Sequence, residues 1–269
     1  MKNKDYKAFI VEGEAREPLI IENISKVFLK HGNIKIITIT AGENIYMLWK
    51  ILKDDDFETY VIEFLREENE GIRKQLMGLS RDDFSEVYLF FDYDAHQTNL
   101  GKEDGANAIT QMLETFNNET ENGKLYINYP MVEALRDFVP GVCECKDNCF
   151  IAIKDLSSYK NLSAVHSVNP HFKDYNIDIW KGIIDVFAMR ISCLFKNKNV
   201  FEYEKYSEVV NSFEVYKCEE TYGDKVFILS AFPQFLVDYY GIRLWKTSVK
   251  HVKNKLDGDC QINKLNKKH

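Results

Sequence analysis

Acidic residues follow two short apolar segments that have the character of buried β-strands. Glu12 comes directly after segment 8–11, and Asp92 and Asp94 follow the apolar run 87–91. Parallel α/β sheets bind their ligands at the carboxyl ends of the strands. Carboxylate oxygens are the ligands that Mg²⁺ prefers in proteins. The sequence therefore predicts that Glu12, Asp92 and Asp94 meet at one edge of a sheet and share a metal ion.

Two features of these segments bear on the prediction. Gly13 follows Glu12 and would let the backbone or a phosphate approach closely, because glycine has no side chain. Three converging carboxylates repel one another and raise each other's pKa unless a cation lies between them. The alternative is that these acids cap turns and helices separately and never converge.

The order of the predicted elements indicates the fold class. Alternating or β-branched segments predict strands, and segments with apolar residues every three or four positions predict helices, the first with Pro18 at its first position. Strand and helix alternate, which is typical of an α/β fold with a parallel sheet and helices on both faces. The predicted strands are 7–11, 34–40, 87–91 and 124–128, and the predicted helices between them are 18–30, 44–52, 57–79 and 104–117.

The chain divides by its pattern into two parts. Residues 1–140 form the predicted α/β domain, with a helical insertion at about 54–80 on the edge of the sheet. Three aspartates, 54–56, precede the long helical pattern 57–79, where capping is the favoured role. Residues 141–269 form a mainly helical C-terminal region. Its many aromatic residues are either core residues at helical spacing or base-stacking platforms, and core is favoured.

Composition limits the class of protein. The net charge is −7, from 35 basic and 42 acidic residues, which disfavours nucleic-acid binding by the whole surface but not at a local site. The segment 246–269 is basic, either as a solvated helix face and tail or as a local contact. No apolar run approaches a membrane span, and we expect a cytoplasmic protein without a secretory signal. Cys143, Cys145 and Cys149 are either reduced thiols, the favoured interpretation, or half of a zinc site, and the isolated Cys193, Cys218 and Cys260 are also expected to be reduced.

The segment 11–13, Val-Glu-Gly after a strand, together with an Asp-x-Asp that ends a later strand in a β-α-β-α-β-α-β frame, resembles the Toprim domain. The resemblance covers about residues 7–138. Segment 128–134 and the helical C-terminal half look like compact bacterial Toprim nucleases of anti-phage defence, such as those of the OLD family and the PARIS system. By position, Glu12 matches the first acid of the family, and Asp92 and Asp94 match its Asp-x-Asp pair.

The chain departs from the family at one position. Many members carry a further acid four residues after the first, and here that residue is Arg16. Glu14 or Glu17 is a candidate substitute, and the number of metal ions stays open. Glu133 is either an outer metal ligand or an acid at a helix N-terminus.

The resemblance implies a Mg²⁺- or Mn²⁺-dependent endonuclease that cleaves RNA (including tRNA) or DNA and acts as a toxic defence effector. It also implies a homodimer and an ABC-type ATPase partner. Candidate nucleic-acid contacts are Gly13, His96, Lys154 and Lys160, although a loop histidine is more often solvated. Two alternatives are strand joining or primer synthesis, which need further domains, and a non-catalytic regulator built on a degenerate Toprim core.

Overall fold

A five-stranded sheet forms the centre of the computed structural model, which describes residues 6–29, 35–95, 100, 102–137, 149–195 and 200–250. The strand order is β2-β1-β3-β5-β4, and only β4 runs antiparallel to its neighbour. The α/β class with a mostly parallel sheet is therefore confirmed. The strands are β1 (Tyr6–Val11), β2 (Lys35–Thr40), β3 (Phe84–Asp92), β4 (Asn117–Asn118), β5 (Gly123–Asn128), β6 (Phe150–Ala152) and β7 (Lys225–Phe227).

Ten α-helices are assigned within the described residues. They are α1 (Arg16–Phe28), α2 (Ile45–Asp54), α3 (Val61–Glu68), α4 (Glu70–Gln75), α5 (Lys102–Thr115), α6 (Leu156–His166), α7 (Ile177–Leu194), α8 (Tyr203–Val209), α9 (Ser212–Glu219) and α10 (Ala231–Ser248). Short 3₁₀ turns lie between several of them, including Val132–Asp137 after β5 and Ile153–Asp155 before α6.

The central strands are apolar because both of their faces are covered by helices. Connections between parallel strands are right-handed. The connection through α1 leads from β1 to β2 in one direction along the sheet, and the connection through α5 leads from β3 to β5 in the other direction. The two helices therefore lie on opposite faces. On the α1 face, the ring of Phe235 in α10 makes edge contacts with Phe9 and Phe90 at centroid distances of 5.5 and 5.6 Å. On the other face α2 and α5 meet through a hydrogen bond from Trp49 Nε1 to Gln111.

Helix α1 begins earlier than predicted. It starts at Arg16 rather than Pro18, so the proline is the third helical residue. This position tolerates proline because the first four N–H groups of a helix have no intrahelical acceptor. The earlier start places Arg16 and Glu17 in the first turn, beside the end of β1.

The segment that was predicted as one helix over 57–79 is broken. Helix α3 ends before Asn69, whose side chain accepts hydrogen bonds from the N–H groups of Gly71 and Ile72 and so caps α4. The preceding aspartates do not cap α3, because its N-cap is Tyr60 and no side chain caps it; Asp55 instead accepts a hydrogen bond from the N–H of Thr59, before the helix begins.

The C-terminal region is mainly helical, as predicted, but it also contains the antiparallel pair β6–β7, which was not predicted. These strands have only three residues each, which is too short for a visible period of two. Buried residues of both parts belong to one contiguous hydrophobic core. The domain boundary at residue 140 stays a prediction.

The cysteines differ among themselves. Cys149 is buried and Cys218 half-buried, and both are thiols that form no disulfide, as expected. Cys193 is disulfide-bonded, so the prediction of reduced thiols is wrong at this position. Cys143 and Cys145 lie outside the described residues. Within the described ranges, no helix is long and apolar enough to cross a membrane.

Candidate active site at the carboxyl ends of β1 and β3

The structure brings Glu12 to the Asp-x-Asp segment. The register of β1 and β3 aligns Val11 with Phe90, so the residue after β1 lies beside the end of β3. The backbone N–H of Asp92 donates a hydrogen bond to Glu12 Oε2 at 3.2 Å. Two acids separated by 80 residues in the sequence thus meet at one edge of the sheet.

A cleft of about 620 Å³ opens at this edge. Its walls come from the β1–α1 connection, the end of β3, the segment after β5 and the start of α6. Most of the predicted site residues lie in these walls. They are Glu12, Gly13, Glu17, Asp92, Asp94, Glu133 and Lys160.

Two predicted nucleic-acid contacts are not among the cleft residues that the structure describes. Lys154 lies in the 3₁₀ turn before α6, outside the cleft lining. His96 lies outside the described residues. Lys160, one helical turn into α6, is therefore the predicted lysine that the structure places beside the acids.

Glu17 closes the β1–α1 turn. Its Oε1 accepts a hydrogen bond from the N–H of Gly13 at 3.0 Å. A Cβ atom on residue 13 would stand only 2.8 Å from Glu17 Oε2, so a larger residue there would require the Glu17 carboxylate to shift. Gly13 was expected to let the backbone or a phosphate approach closely. In the structure, the side chain of Glu17 occupies this space.

Arg16 and Glu133 form an ion pair across the cleft. Arg16 Nη1 donates to Glu133 Oε1, which joins the first turn of α1 to the 3₁₀ turn after β5. The Glu133 side chain is only 2% exposed, whereas that of Arg16 is 30% exposed. Arg16, where many family members have an acid, thus places a cation among the acids. It pairs with Glu133, for which the sequence allowed a role as an outer metal ligand or as an acid at a helix N-terminus.

Asn128 supports Asp92 from behind. Its Nδ2 donates to Asp92 Oδ1 at 3.2 Å, and its Oδ1 accepts the N–H of Ala231 at 2.9 Å. The Asn128 side chain therefore joins the acidic end of β3 to the N-terminus of α10. No role was predicted for Asn128, although an asparagine at the end of a buried strand next to β3 was a usable signal.

The electrostatics of the site follow from burial and like charge. Burial raises the pKa of Glu12 to about 7, and the nearby Glu17 and Asp94 act in the same direction, against the hydrogen bond from Asp92. Burial, and then the charges of Glu12 and Glu17, raise the pKa of Asp92 well above its usual range. Burial and the charge of Arg136 lower the pKa of Arg16. The site therefore favours any bound species that brings positive charge.

The donor atoms of the site suit a hard cation, but they are not arranged around one. Carboxylate oxygens from neighbouring strand ends are the ligand type that Mg²⁺ and Mn²⁺ take. In the part of the chain that the structure describes, however, no three Asp, Glu, His or Cys side chains form a group that could hold a metal ion. The carboxylates of Glu12, Glu17, Asp92 and Glu133 accept hydrogen bonds from protein donors. An ion would have to replace some of these donors by rotation of the side chains.

Comparison with protein-family models, with curated proteins and with solved structures gave no match to this chain.

Proposed function

We propose that the protein is a metal-dependent endonuclease with a Toprim-like site, which hydrolyses phosphodiester bonds of RNA (tRNA included) or DNA. The observation that carries the proposal is the hydrogen bond between the Asp92 backbone and the Glu12 carboxylate, which brings the two acidic motifs together in one cleft. Without that contact, the acids would be separate turn residues.

Glu12, Asp92 and Asp94 would hold a Mg²⁺ or Mn²⁺ ion, and Glu17 lies close enough to serve as an outer acid. When bound, the ion supplies a polarised water and positive charge for the scissile phosphate. The chemical fit rests on the oxygen donors and on the excess of negative charge that raises the pKa of Glu12 and Asp92.

The remaining residues have roles that follow from their positions. The Asn128 amide donates a hydrogen bond to the Asp92 carboxylate, and the Asp92 N–H donates one to the Glu12 carboxylate. The two carboxylates are therefore oriented by the strand ends. Lys160 lines the wall of the cleft and would bind a backbone phosphate of the substrate. In the hydrolysis, a water oxygen bonds to phosphorus, the bond to the leaving oxygen breaks, and the proton that the water loses is matched by one that the leaving oxygen gains.

The biological setting is part of the same proposal. The resemblance to compact Toprim nucleases supports a toxic effector of anti-phage defence that acts in the cytoplasm. It also supports a homodimer that works with an ABC-type ATPase partner.

A second candidate is a non-catalytic regulator built on a degenerate Toprim core. It is favoured by one observation: within the described chain no three potential ligands are grouped for a metal. Calorimetric titration with Mn²⁺ separates the two candidates, because only a regulator would give no heat of binding.

The test of the nuclease proposal compares Glu12→Gln and Asp92→Asn with the wild-type protein. Both amides keep the size of the acid and remove its charge, and we expect cleavage of RNA and DNA substrates to fall about 10³-fold. Glu22→Gln, an exposed acid on α1, serves as the matched control and should cleave at the wild-type rate. Circular dichroism establishes that each variant is folded. Full activity in both site variants would rule out the proposed roles.

A further inference from the structure

The Arg16–Glu133 pair has a consequence for the number of ions that the cleft takes. Three outer acids stand in the same cleft as the strand-end acids: Glu14, which is exposed, and Glu17 and Glu133, which are buried. A second ion held inside the cleft would take its carboxylate ligands from the buried members of this outer group, with water and phosphate oxygens completing its octahedron.

The two buried outer acids are already bound by donors of the chain. Glu17 accepts the N–H of Gly13, and Glu133 is ion-paired with Arg16. The Glu133 side chain is almost fully buried, so its charge is stable there only with a partner. Removing Arg16 from Glu133 without a replacement cation would leave a buried charge unpaired, which is strongly unfavourable.

The guanidinium of Arg16 also has capacity beyond Glu133. It is planar and carries five N–H donors, and the contact with Glu133 runs through Nη1. Its side chain is 30% exposed and lines the cleft, so it is accessible to a substrate bound there. A guanidinium fork suits the two non-bridging oxygens of a phosphate.

From this geometry we infer that the site takes one divalent cation and that Arg16 supplies the second positive charge, on the non-bridging oxygens of the scissile phosphate. The inference rests on the proposed nuclease function. Charge builds up on those oxygens as the water oxygen bonds to phosphorus and the bond to the leaving oxygen breaks. Arg16 transfers no proton in this step and acts through charge and hydrogen bonds alone.

The experiment counts bound Mn²⁺ by electron paramagnetic resonance and by calorimetry, alongside the cleavage rate. We expect one ion in the wild-type protein and two in Arg16→Ala, because the loss of Arg16 releases Glu133 as a ligand. The cleavage rate of Arg16→Ala should fall at least about 10²-fold, as expected for the loss of a charged donor to the reacting group. Arg16→Lys keeps the charge without the fork and should bind one ion with an intermediate rate.

Controls make the result specific to this pair. Glu133→Gln should still bind one ion, because the outer carboxylate is absent. Arg243→Ala, an exposed arginine on α10, should change neither the ion count nor the rate. If Arg16→Ala fails to fold, Arg16→Met, which keeps an apolar stem in place of the arginine, gives the same ion count.

The outcomes separate the inference from the proposed function. Two ions in the wild-type protein overturn the inference, and so does either a single ion or an undiminished rate in the neutral Arg16 variants. In those cases the nuclease proposal still stands. If the wild-type protein binds no Mn²⁺ and behaves like Glu12→Gln, the nuclease proposal itself fails.

Discussion

The two ends of β1 and β3 both carry acids, but their surroundings differ. At the amino ends, Glu86 is ion-paired with Lys7, its partner in the strand register, and accepts a hydrogen bond from Tyr88 at 2.7 Å. Lys7 also lies over the ring of Tyr239 in α10, 4.5 Å from the ring centroid. At the carboxyl ends, Glu12 and Asp92 have raised pKa values because they are buried next to further acids.

The acid at the amino ends is paired with a cation of the chain and so stabilises the fold. The acids at the carboxyl ends have an excess of negative charge and so are available to bind a cation. A buried acid with a cation of the same chain stabilises the fold only as part of the pair, and removing one partner is costly. Acids that crowd without enough cations destabilise the fold until something positive binds. We therefore expect substitutions at the two ends to have opposite effects on stability.

The largest effect is expected from Lys7→Met. The Lys7 side chain is 6% exposed, and its loss leaves Glu86 without its cation, so the free energy of unfolding should fall by about 3 kcal/mol. Urea unfolding followed by fluorescence measures the change. Mn²⁺ binding by the folded variant should equal that of the wild-type protein. A loss of less than about 1 kcal/mol would contradict the assignment of a structural role to this pair.

A buried acid outside both ends gives a pH-dependent effect. Glu219 in α9 accepts the N–H of Phe227 at 2.7 Å, and no donor in the described residues reaches its Oε2. Burial raises the pKa of Glu219 to about 8, from 4.5. The pKa of Glu219 is higher in the folded protein than in the unfolded chain. The contribution of Glu219 to the free energy of unfolding is therefore fully present below pH 4.5 and is lost as the pH rises to about 8.

Glu219→Gln should remove this dependence. The variant should be about as stable as the wild-type protein at pH 5, and more stable by about 2 kcal/mol at pH 8, because it never has to bury a carboxylate. Unfolding curves at the two pH values test this, with the exposed Glu204→Gln as the matched control. If the difference between variant and wild type is the same at both pH values, Glu219 does not titrate in the folded protein in this range.

A smaller effect of the opposite sign is expected at the carboxyl ends. In metal-free buffer at pH 8, Asp92→Asn should raise the free energy of unfolding by about 1 kcal/mol, because it removes one of the repelling charges. Glu86→Gln at the amino ends should lower it. Adding Mn²⁺ should then stabilise the wild-type protein but not Asp92→Asn. A loss of stability in metal-free Asp92→Asn would remove the contrast between the two ends.

The smallest effect concerns the lysines. Lys160→Ala, measured in a Glu12→Gln background that does not cleave, should bind a single-stranded oligonucleotide about fivefold more weakly and lower the salt slope by about 1. Lys154→Ala is the matched control, since Lys154 is outside the cleft lining, and should bind as before. Equal losses in the two variants would mean that these lysines act only through the overall charge.

The sheet and the meeting of the two acidic segments could be predicted from the sequence because both depend on short-range patterns. Apolar runs gave β1 and β3, and parallel strands place their ends at a common edge, so the approach of Glu12 to Asp92 follows from topology. The broken helix at Asn69 was also readable in principle, since asparagine favours the cap position over a helix interior.

The partners of the acids could not be predicted. The ion pair of Arg16 with Glu133 spans 117 residues, and the contact from Asn128 to Ala231 spans 103. Such contacts depend on how α1, the 3₁₀ turn after β5 and α10 dock on the sheet, which no local pattern encodes. The three-residue strands β6 and β7 were missed for the same reason, because their pairing is tertiary.

The Asn128 amide holds an acid of the cleft with one end and the first turn of α10 with the other. The two parts of the chain are therefore not interchangeable modules. A fragment that ends near residue 137 would lose Ala231, whose N–H is hydrogen-bonded to Asn128. It would also lose the Phe235 ring that covers Phe9 and Phe90. Grafting the acidic half onto another helical half would have to recreate this single amide bridge before the carboxylates could stand where they do now.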